Sequence, residues 1–481
     1  MPFTLNRDSK EPLFRQLVRQ MESRILSGEW PLHMKLPPER SLALQLGLNR
    51  STVTAAYQEL ATQGWVSKVQ GSGTRVIALP EDGAAAVAID WNQYWNKRAD
   101  NPLLPLKKSL HSIASRKGTI NLAMGELSGE LLRGLPLFGR PELPSIAEPL
   151  GYVGPPLERR YRSIIASHLE RYQSIDTDAS RILLTSGAQQ ALYLIVNCLL
   201  KPGDAIAVEA ASYAYSQNLF LSAGLRVFPI AMDEDGLVPE HLVRLYEQHK
   251  IRMAVVNPTY QNPTGTVLSL ERRRRLYDIC AARRIPIVED DPYSLLGDCR
   301  GQQPPPSLKA LYPDSDLILY IGTTSKVLTP ALRTGWLVGP EEVIARLGDH
   351  RREIDNGLSP ILQGIVHSLL DERVLEPHLL QVRTSLAERR DRALGLMRGH
   401  MSGLATWREP ESGFYVWCRL NPSIRLPDVM RECEAEGVLI MPGTILGNDS
   451  RRFRITYSRA SLAELEEGLL RVARAIRRAA E

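Results

Sequence analysis

The sequence predicts an α/β fold built on a mostly parallel sheet, preceded by a small helical module closed by a β-hairpin. Three observations carry that prediction. From about Thr119 onward, apolar β-type runs alternate with helical stretches. The first 79 residues set three helix-like segments ahead of a glycine-rich hairpin. The segment Gly322–Gly339 places Lys326 among hydroxyls, with Arg333 seven residues on and strand-like apolar stretches on both sides.

A chain of 481 residues is too long for one ordinary domain, and two or three is the natural expectation. Its 43% hydrophobic and 23% charged residues are those of a soluble globular protein. Net charge is +5, and residues 1–79 hold ten Lys and Arg against six Asp and Glu, a local excess of +4. That bias suits a phosphate backbone as partner, although many solvated surfaces are as basic. The five cysteines, Cys198, Cys280, Cys299, Cys418 and Cys433, form no CxxC pair and no cluster with His. This argues against a disulfide framework or a metal site and for a reducing compartment. The start, Met-Pro-Phe-Thr-Leu-Asn-Arg-Asp, lacks the apolar core of a signal peptide. No run reaches the ~18 apolar residues a membrane span needs. The expectation is a cytoplasmic protein with no membrane partner.

Taken in order, the first element follows Pro12, which a first helical turn tolerates, with Leu13, Leu17, Met21 and Ile25 recurring every four residues up to Gly28. Pro38-Glu-Arg-Ser-Leu-Ala-Leu-Gln-Leu predicts a second short helix ending at Gly47. A third runs from about Ser51 to Gln63, with Val53, Ala56, Tyr57 and Leu60 on its buried face. Two short helices around a tight glycine turn make a helix-turn-helix, whose second helix enters a DNA major groove. Trp65–Val69 and Thr74–Ile77 then flank Gln70-Gly71-Ser72-Gly73 as a hairpin, the wing of a winged helix. The expected phosphate and base contacts are Arg40, Arg50, Ser51, Thr52, Thr54, Lys68 and Arg75. Any one of them alone reads equally well as a surface residue; the ordered set of elements is more specific. From Glu11 to Val76 the segment closely resembles the DNA-binding domain of GntR-family transcription regulators, on Leu36-Pro-Pro-Glu-Arg-Ser-Leu-Ala and the later Gly-Ser-Gly-Thr.

Residues 80–118 break the pattern and read as a linker, with Pro80-Glu-Asp-Gly-Ala-Ala-Ala and Asn101-Pro-Leu-Leu-Pro as its turns and Trp91, Tyr94 and Trp95 as anchors. The domain from 119 to 481 then offers five buried-strand runs: Arg181–Thr185, Ala205–Val208, Met253–Val256, Ile285–Val288 and Leu317–Ile321. Ligands of such domains collect at the carboxyl ends of the strands, where four motifs fall.

In Thr185-Ser-Gly-Ala-Gln-Gln-Ala-Leu a strand turns through Gly187 into a helix, and Ala188 and Gln189 offer amides to an anion. In Asn257-Pro-Thr-Tyr-Gln-Asn-Pro-Thr-Gly, Asn262 offers an amide to a ring hydroxyl. In Glu289-Asp-Asp-Pro-Tyr, Asp290 can pair with a pyridine nitrogen and keep it protonated, and Tyr293 can donate to a phenolic oxygen. Lys326 can form a Schiff base with an aldehyde, with Thr323, Ser325 and Arg333 as phosphate donors.

Each motif alone has a plain alternative: a common turn, a helix cap, an exposed lysine. Together and in this order they resemble the fold-type I aminotransferases dependent on pyridoxal 5'-phosphate (PLP), over residues 119–478. The resemblance implies Lys326 as Schiff-base lysine, Asp290 as ring-nitrogen partner, and Tyr293 and Asn262 as ring-oxygen partners. It also implies Tyr213 stacked on the ring and Arg454 clamping a substrate carboxylate. The segment Asn121–Glu130 departs from the family in lacking its proline-containing pattern near the substrate entrance. The final helix, with Leu462, Leu465, Leu469, Val472 and Ile476 at helical spacing, reads as core packing, and its Arg474, Arg477 and Arg478 complement the helix dipole.

The whole chain is similar to the MocR-type regulators, a GntR-type winged helix joined to an aminotransferase-like domain. That resemblance implies a PLP-dependent regulator of transcription that senses an amino compound or PLP itself. It implies a homodimer, domain-swapped across a ~40-residue linker and reading two half-sites of double-stranded DNA. The alternative is a working aminotransferase, complete or limited to a half-reaction, with an accessory DNA-binding module.

Overall fold

The computed structural model describes residues 3–7, 11–69, 73–77, 101–133, 135, 154–297, 303–447 and 449–481. It divides into two compact units, Met1–Asn96 and Lys97–Glu481.

In the first unit, helices Leu13–Leu26, Glu39–Leu46 and Arg50–Thr62 precede the antiparallel pair Val66–Val69 and Gly73–Val76, in register Val66↔Val76. Gly47, at φ 60°, ends the second helix in the left-handed conformation that glycine adopts without strain. Leu17, Met21, Ile25, Val53, Ala56, Leu60 and Val76 are fully buried and form one core, so the four-residue spacing is a true helical face. The expected hairpin tip, Gln70 to Ser72, lies outside the described residues, as do Trp91, Tyr94, Trp95 and Cys299.

Of the stretch 80–118 read as linker, residues 101–118 are described. Leu104–Ala114 is a helix of the second unit, burying Leu110 and Ile113 against Trp417, Leu439, Ile445 and Leu446. Its apolar positions are few and lie between prolines and lysines, so its pattern in sequence is weak.

The second unit is built on a seven-stranded sheet. Its strand order is Ile182–Thr185, Gly335–Val338, Ile318–Thr323, Ile287–Asp291, Met253–Val256, Ala205–Glu209, Arg226–Ile230. The last five strands are mutually parallel, and Gly335–Val338 runs antiparallel to both its neighbours. Both faces of the sheet are covered. Ile206, Val208, Val255, Val288 and Ile321 belong to one core cluster, whereas Ala205, Ala207, Ala254, Ile287 and Ile318 belong to another. That two-residue alternation inside uninterrupted apolar runs is what a doubly covered sheet requires.

A second, four-stranded antiparallel sheet joins Ala405–Trp407, Tyr415–Leu420, Arg452–Thr456 and Met441–Pro442. The last helix, Leu462–Arg478, starts with a capping box between Ser461 and Glu464 and buries Leu465, Leu469, Val472 and Ile476. Its arginines do more than face the helix dipole: Arg474 and Arg478 both pair with Glu436, at 3.0 and 2.7 Å.

Gly335 sits where the antiparallel strand crosses the turn into helix Ala188–Leu199. A Cβ there would lie 2.7 Å from the Gly187 carbonyl carbon and 2.8 Å from the Ala188 nitrogen. These are backbone atoms held by the sheet register Gly335↔Thr185. Gly335→Ala is therefore expected to destabilise the second unit by about 1–3 kcal/mol through overpacking. Thermal melting checks this; an unchanged midpoint would show that the turn yields freely.

Candidate functional site

The carboxyl ends of the parallel strands open into a cavity of about 420 Å³, entirely within the second unit. Every cofactor or substrate residue expected from the four motifs, together with Tyr213 and Arg454, lines it. Segments scattered between positions 188 and 454 therefore converge on one volume.

The three consecutive acids separate by strand alternation. Glu289 accepts from the amides of Leu308 and Lys309, at 2.8 and 3.0 Å, with Arg273 at 3.9 Å. Asp291 accepts from the Ser294 amide at 3.0 Å and the Tyr320 hydroxyl at 3.1 Å. Asp290, on the opposite face of the strand, lines the cavity, and its buried Oδ1 has no hydrogen-bond partner. Burial above all, then the neighbouring Asp291 charge, pushes the Asp290 carboxyl up to about 7, with Lys326 opposing. A buried carboxylate oxygen without a donor is unusual, and a protonated ring nitrogen supplies the donor it lacks.

Lys326 Nζ donates to the Gly125 carbonyl at 2.7 Å, so the amine is held at the cavity wall. At the other end the chain assembles an anion cradle. Gly187, at φ 89°, turns the strand into helix Ala188–Leu199, and no described group accepts from the first two amides of that helix. Arg333, itself at φ 46°, donates to the Ser186 carbonyl at 2.9 Å across the same turn. A Cβ on Gly187 would lie 3.0 Å from the Arg333 guanidinium, so glycine makes room for it. Thr323 lines the cavity, with its hydroxyl 2.8 Å from the Thr334 carbonyl. Ser325 Oγ, 3.0 Å from Thr323 Oγ1, remains beside the cradle.

The remaining wall is aromatic and cationic. Tyr293 and Tyr415 share a hydrogen bond between their hydroxyls at 2.9 Å. Burial, with Tyr415 beside it, pushes the Tyr293 hydroxyl well up, which keeps it a proton donor. Arg454 is 3% exposed; it donates to Asn262 Oδ1 and to the Ala123 carbonyl, and its guanidinium lies 4.1 Å from the centre of the Tyr415 ring. Its Nε has no partner. Tyr213 is 42% exposed at the cavity rim, with its amide on the Asn262 carbonyl at 3.1 Å.

Sequence reasoning missed several parts of this site. Asn257 ties two motifs together, donating to the Asp290 carbonyl at 2.7 Å and accepting from the Asn262 amide at 2.9 Å. It stood at the head of its motif, where an amide side chain at a strand end was the available signal. Tyr415, Gly125 and the face of helix Leu104–Ala114 carried none.

In the first unit, Arg40, Arg50, Ser51 and Lys68 are exposed, whereas Thr52, Thr54 and Arg75 are half-buried. Glu39 gathers three of the seven: Lys68 at 3.0 Å, Arg50 at 3.7 Å and the Thr54 hydroxyl at 3.0 Å. The Lys68 hydrogen bond chiefly holds its carboxyl below the usual range. Arg75 donates to the His33 carbonyl at 3.0 Å. Exposed pairs such as these are weak and yield readily to a phosphate.

Comparison with known proteins matches residues 119–472 to the aminotransferase class I and II family and residues 13–76 to the bacterial regulatory proteins of the gntR family. The uncharacterized HTH-type transcriptional regulator YisV of Bacillus subtilis (strain 168) is 36% identical over 478 residues, 98% of each chain. The HTH-type transcriptional regulator NorG of Staphylococcus aureus (strain N315) is 26% identical over 91% of this chain and 98% of that one. Among solved structures, the multiple substrate aminotransferase of Thermococcus profundus matches with TM-score 0.73 and 25% identity, over 81% of this chain and 99% of that chain. The kynurenine aminotransferase of Pyrococcus horikoshii, solved in complex with PMP, matches equally, with TM-score 0.73 and 25% identity, over 81% of this chain and 98% of that one.

The state of Asp290 has a measurable consequence. Burial lifts its carboxyl to about 7, above the ~4 of an aspartate in an unfolded chain. As pH rises between the two, the unfolded chain releases a proton that the native state keeps, so stability falls. In cofactor-free protein, Asp290→Asn is expected to gain stability over wild type from pH 4 to 7 and to hold that gain above. Denaturant titrations across this range check it; a difference independent of pH would contradict the buried, unpaired acid.

Proposed function

The chain belongs to the MocR-type transcription regulators, a gntR-family DNA-binding module joined to an aminotransferase class I and II domain, and on that premise we propose that its large unit holds PLP and senses an amino compound. The observation that carries this reading is the buried, unpartnered Oδ1 of Asp290, in one cavity with the Lys326 amine and the anion cradle at Gly187 and Arg333. Bound there, PLP supplies an aldehyde for an amine and a protonated ring that withdraws electrons.

The chain's own residues take these parts. Ala188 and Gln189 amides, Ser325 and Arg333 hold the phosphate. Asp290 accepts from the ring nitrogen, and Tyr293 and Asn262 bind the ring oxygen. Lys326 provides the amine that an incoming amino compound replaces, Arg454 binds that compound's carboxylate, and Tyr213 covers the ring from the rim. Residues 1–79 read double-stranded DNA, and two chains read two half-sites as a homodimer in the cytoplasm. Exchange of one amine for another at Lys326 biases the chain between states of different DNA affinity.

A second reading, an aminotransferase with an accessory DNA module, is favoured by the completeness of the lysine, aspartate and arginine set. Turnover separates the two: an enzyme cycles amino donor and 2-oxo acid at ordinary rates of ~1–10³ s⁻¹, and a regulator does not.

Lys326→Ala is expected to keep the fold and the DNA affinity of the cofactor-free protein, and to lose both the covalent cofactor link and the effector response. Absorbance, borohydride fixation with mass mapping to position 326, and DNA binding with and without amino compounds check this. A response equal to wild type would sink sensing through the lysine. Arg50→Ala is expected to weaken DNA binding by about 1–3 kcal/mol at fixed moderate salt while leaving the cofactor spectrum unchanged. Unaltered affinity would remove the recognition-helix contact.

A further inference from the structure

One cation in the cavity has no part in holding PLP. Lys107 lies on helix Leu104–Ala114, one turn before Leu110 and His111, and all three line the cavity. The helix is fixed by Leu110 and Ile113 in a cluster with Trp417 and Leu439, against which Met441 packs. Trp417 and Met441 are the two residues in register with Arg454 on its neighbouring strands. Lys107 therefore stands at the Arg454 end of the cavity, away from the anion cradle around Arg333.

Its surroundings lack an anion. The wall beside it is apolar, made of Leu110, Leu439, Met441 and Ile445. Among the described residues no acid pairs with Lys107, and burial pulls its ammonium down with no carboxylate offsetting it. The nearby acid Glu126 is engaged by Arg459 at 3.5 Å, and Asp290 faces the ring position. A half-buried ammonium against apolar side chains is costly until an anion joins it.

We propose that Lys107 selects the effector: it binds a second, distal carboxylate, so that the chain responds to amino dicarboxylic acids. This rests on the PLP-sensing reading above. One carboxylate of the effector meets Arg454, the amino group meets the cofactor aldehyde, and the far carboxylate meets Lys107. A neutral amino acid of the same length leaves that ammonium unpaired and binds more weakly.

The test titrates full-length, PLP-loaded protein with L-aspartate, L-glutamate, L-2-aminoadipate and L-norvaline, the neutral counterpart of glutamate, following the cofactor absorbance. Wild type is expected to prefer one of the acids over norvaline by about tenfold in half-saturation, the scale of one charge-assisted hydrogen bond. Lys107→Ala should lose that preference while its norvaline titration stays as in wild type, and Lys107→Arg should retain it. A wild-type protein that does not distinguish the acids from norvaline overturns the inference, as does a preference that survives in Lys107→Ala. Failure of every amino acid to alter the wild-type spectrum overturns the sensing reading itself, and the inference with it.

Discussion

A buried acid left one bond short governs this cavity. Asp290 is held among neighbours that are fully partnered, and its exposed need is met only by a donor arriving from the cavity. Such a group lowers the stability of the empty fold, and natural proteins tolerate it where binding needs it. The surrounding hydrogen bonds keep it from relaxing. Glu209, pushed up to about 8 mainly by burial, accepts from Gln261 Nε2 at 2.9 Å and from the Asn257 amide at 3.2 Å. Asn257 in turn holds the Asp290 carbonyl and the Asn262 amide. One buried network thus sets the position of two residues that line the cavity, Asp290 and Asn262.

The sheet supplies the rest of the geometry. Parallel strands all deliver their carboxyl ends to one edge, so residues far apart in sequence meet without any long-range design of loops. The antiparallel strand Gly335–Val338 adds a closing element: it threads beside the phosphate turn, and a glycine lets it pass within contact of the Gly187 and Ala188 backbone. The anion cradle and the lysine therefore follow the first and third strands of one sheet edge, with Gly335–Val338 between them. Their separation is fixed by backbone register rather than by side-chain adjustment, as a site that must hold a flat ring at both ends requires.

Much of this was legible in the sequence because the chemistry is written in short local phrases. The turn at Gly187, the Asp290 strand end and the Lys326 segment each carry their residue types within ten positions. Their cluster follows once a parallel sheet is inferred. What stayed hidden depends on contacts between distant segments. Tyr415 reads as one more aromatic in a strand, and only the fold brings its hydroxyl to Tyr293. The sequence also gives no sign that the Thr334 carbonyl, just before strand Gly335–Val338, lies beside the Thr323 hydroxyl. Helix Leu104–Ala114 read as linker because its two core residues, Leu110 and Ile113, make too short a stripe to signal burial. Arg474 and Arg478 suggested a dipole effect, but Glu436, at the turn that ends helix Leu426–Ala435, pairs with both.

Regulation through a bound cofactor needs a contact that differs between the two states, since a ligand shifts an equilibrium only by its differential affinity. On the proposed sensing reading, the group that changes on amine exchange is Lys326 Nζ. In this structure it is spoken for by the Gly125 carbonyl. Gly125 is tightly seated: a Cβ there would fall 1.9 Å from the Tyr415 hydroxyl, the partner of Tyr293. The same short segment gives its Ala123 carbonyl to Arg454, and Ala123 packs with Leu110 of the first described helix of the large unit. On the proposed sensing reading, a change at the lysine amine would reach first the segment Ala123–Gly125, which gives a carbonyl to Arg454 and packs against the helix bearing Lys107. On that reading, cofactor state and effector binding would meet on one stretch of backbone, so that neither could alter without a cost or gain to the other.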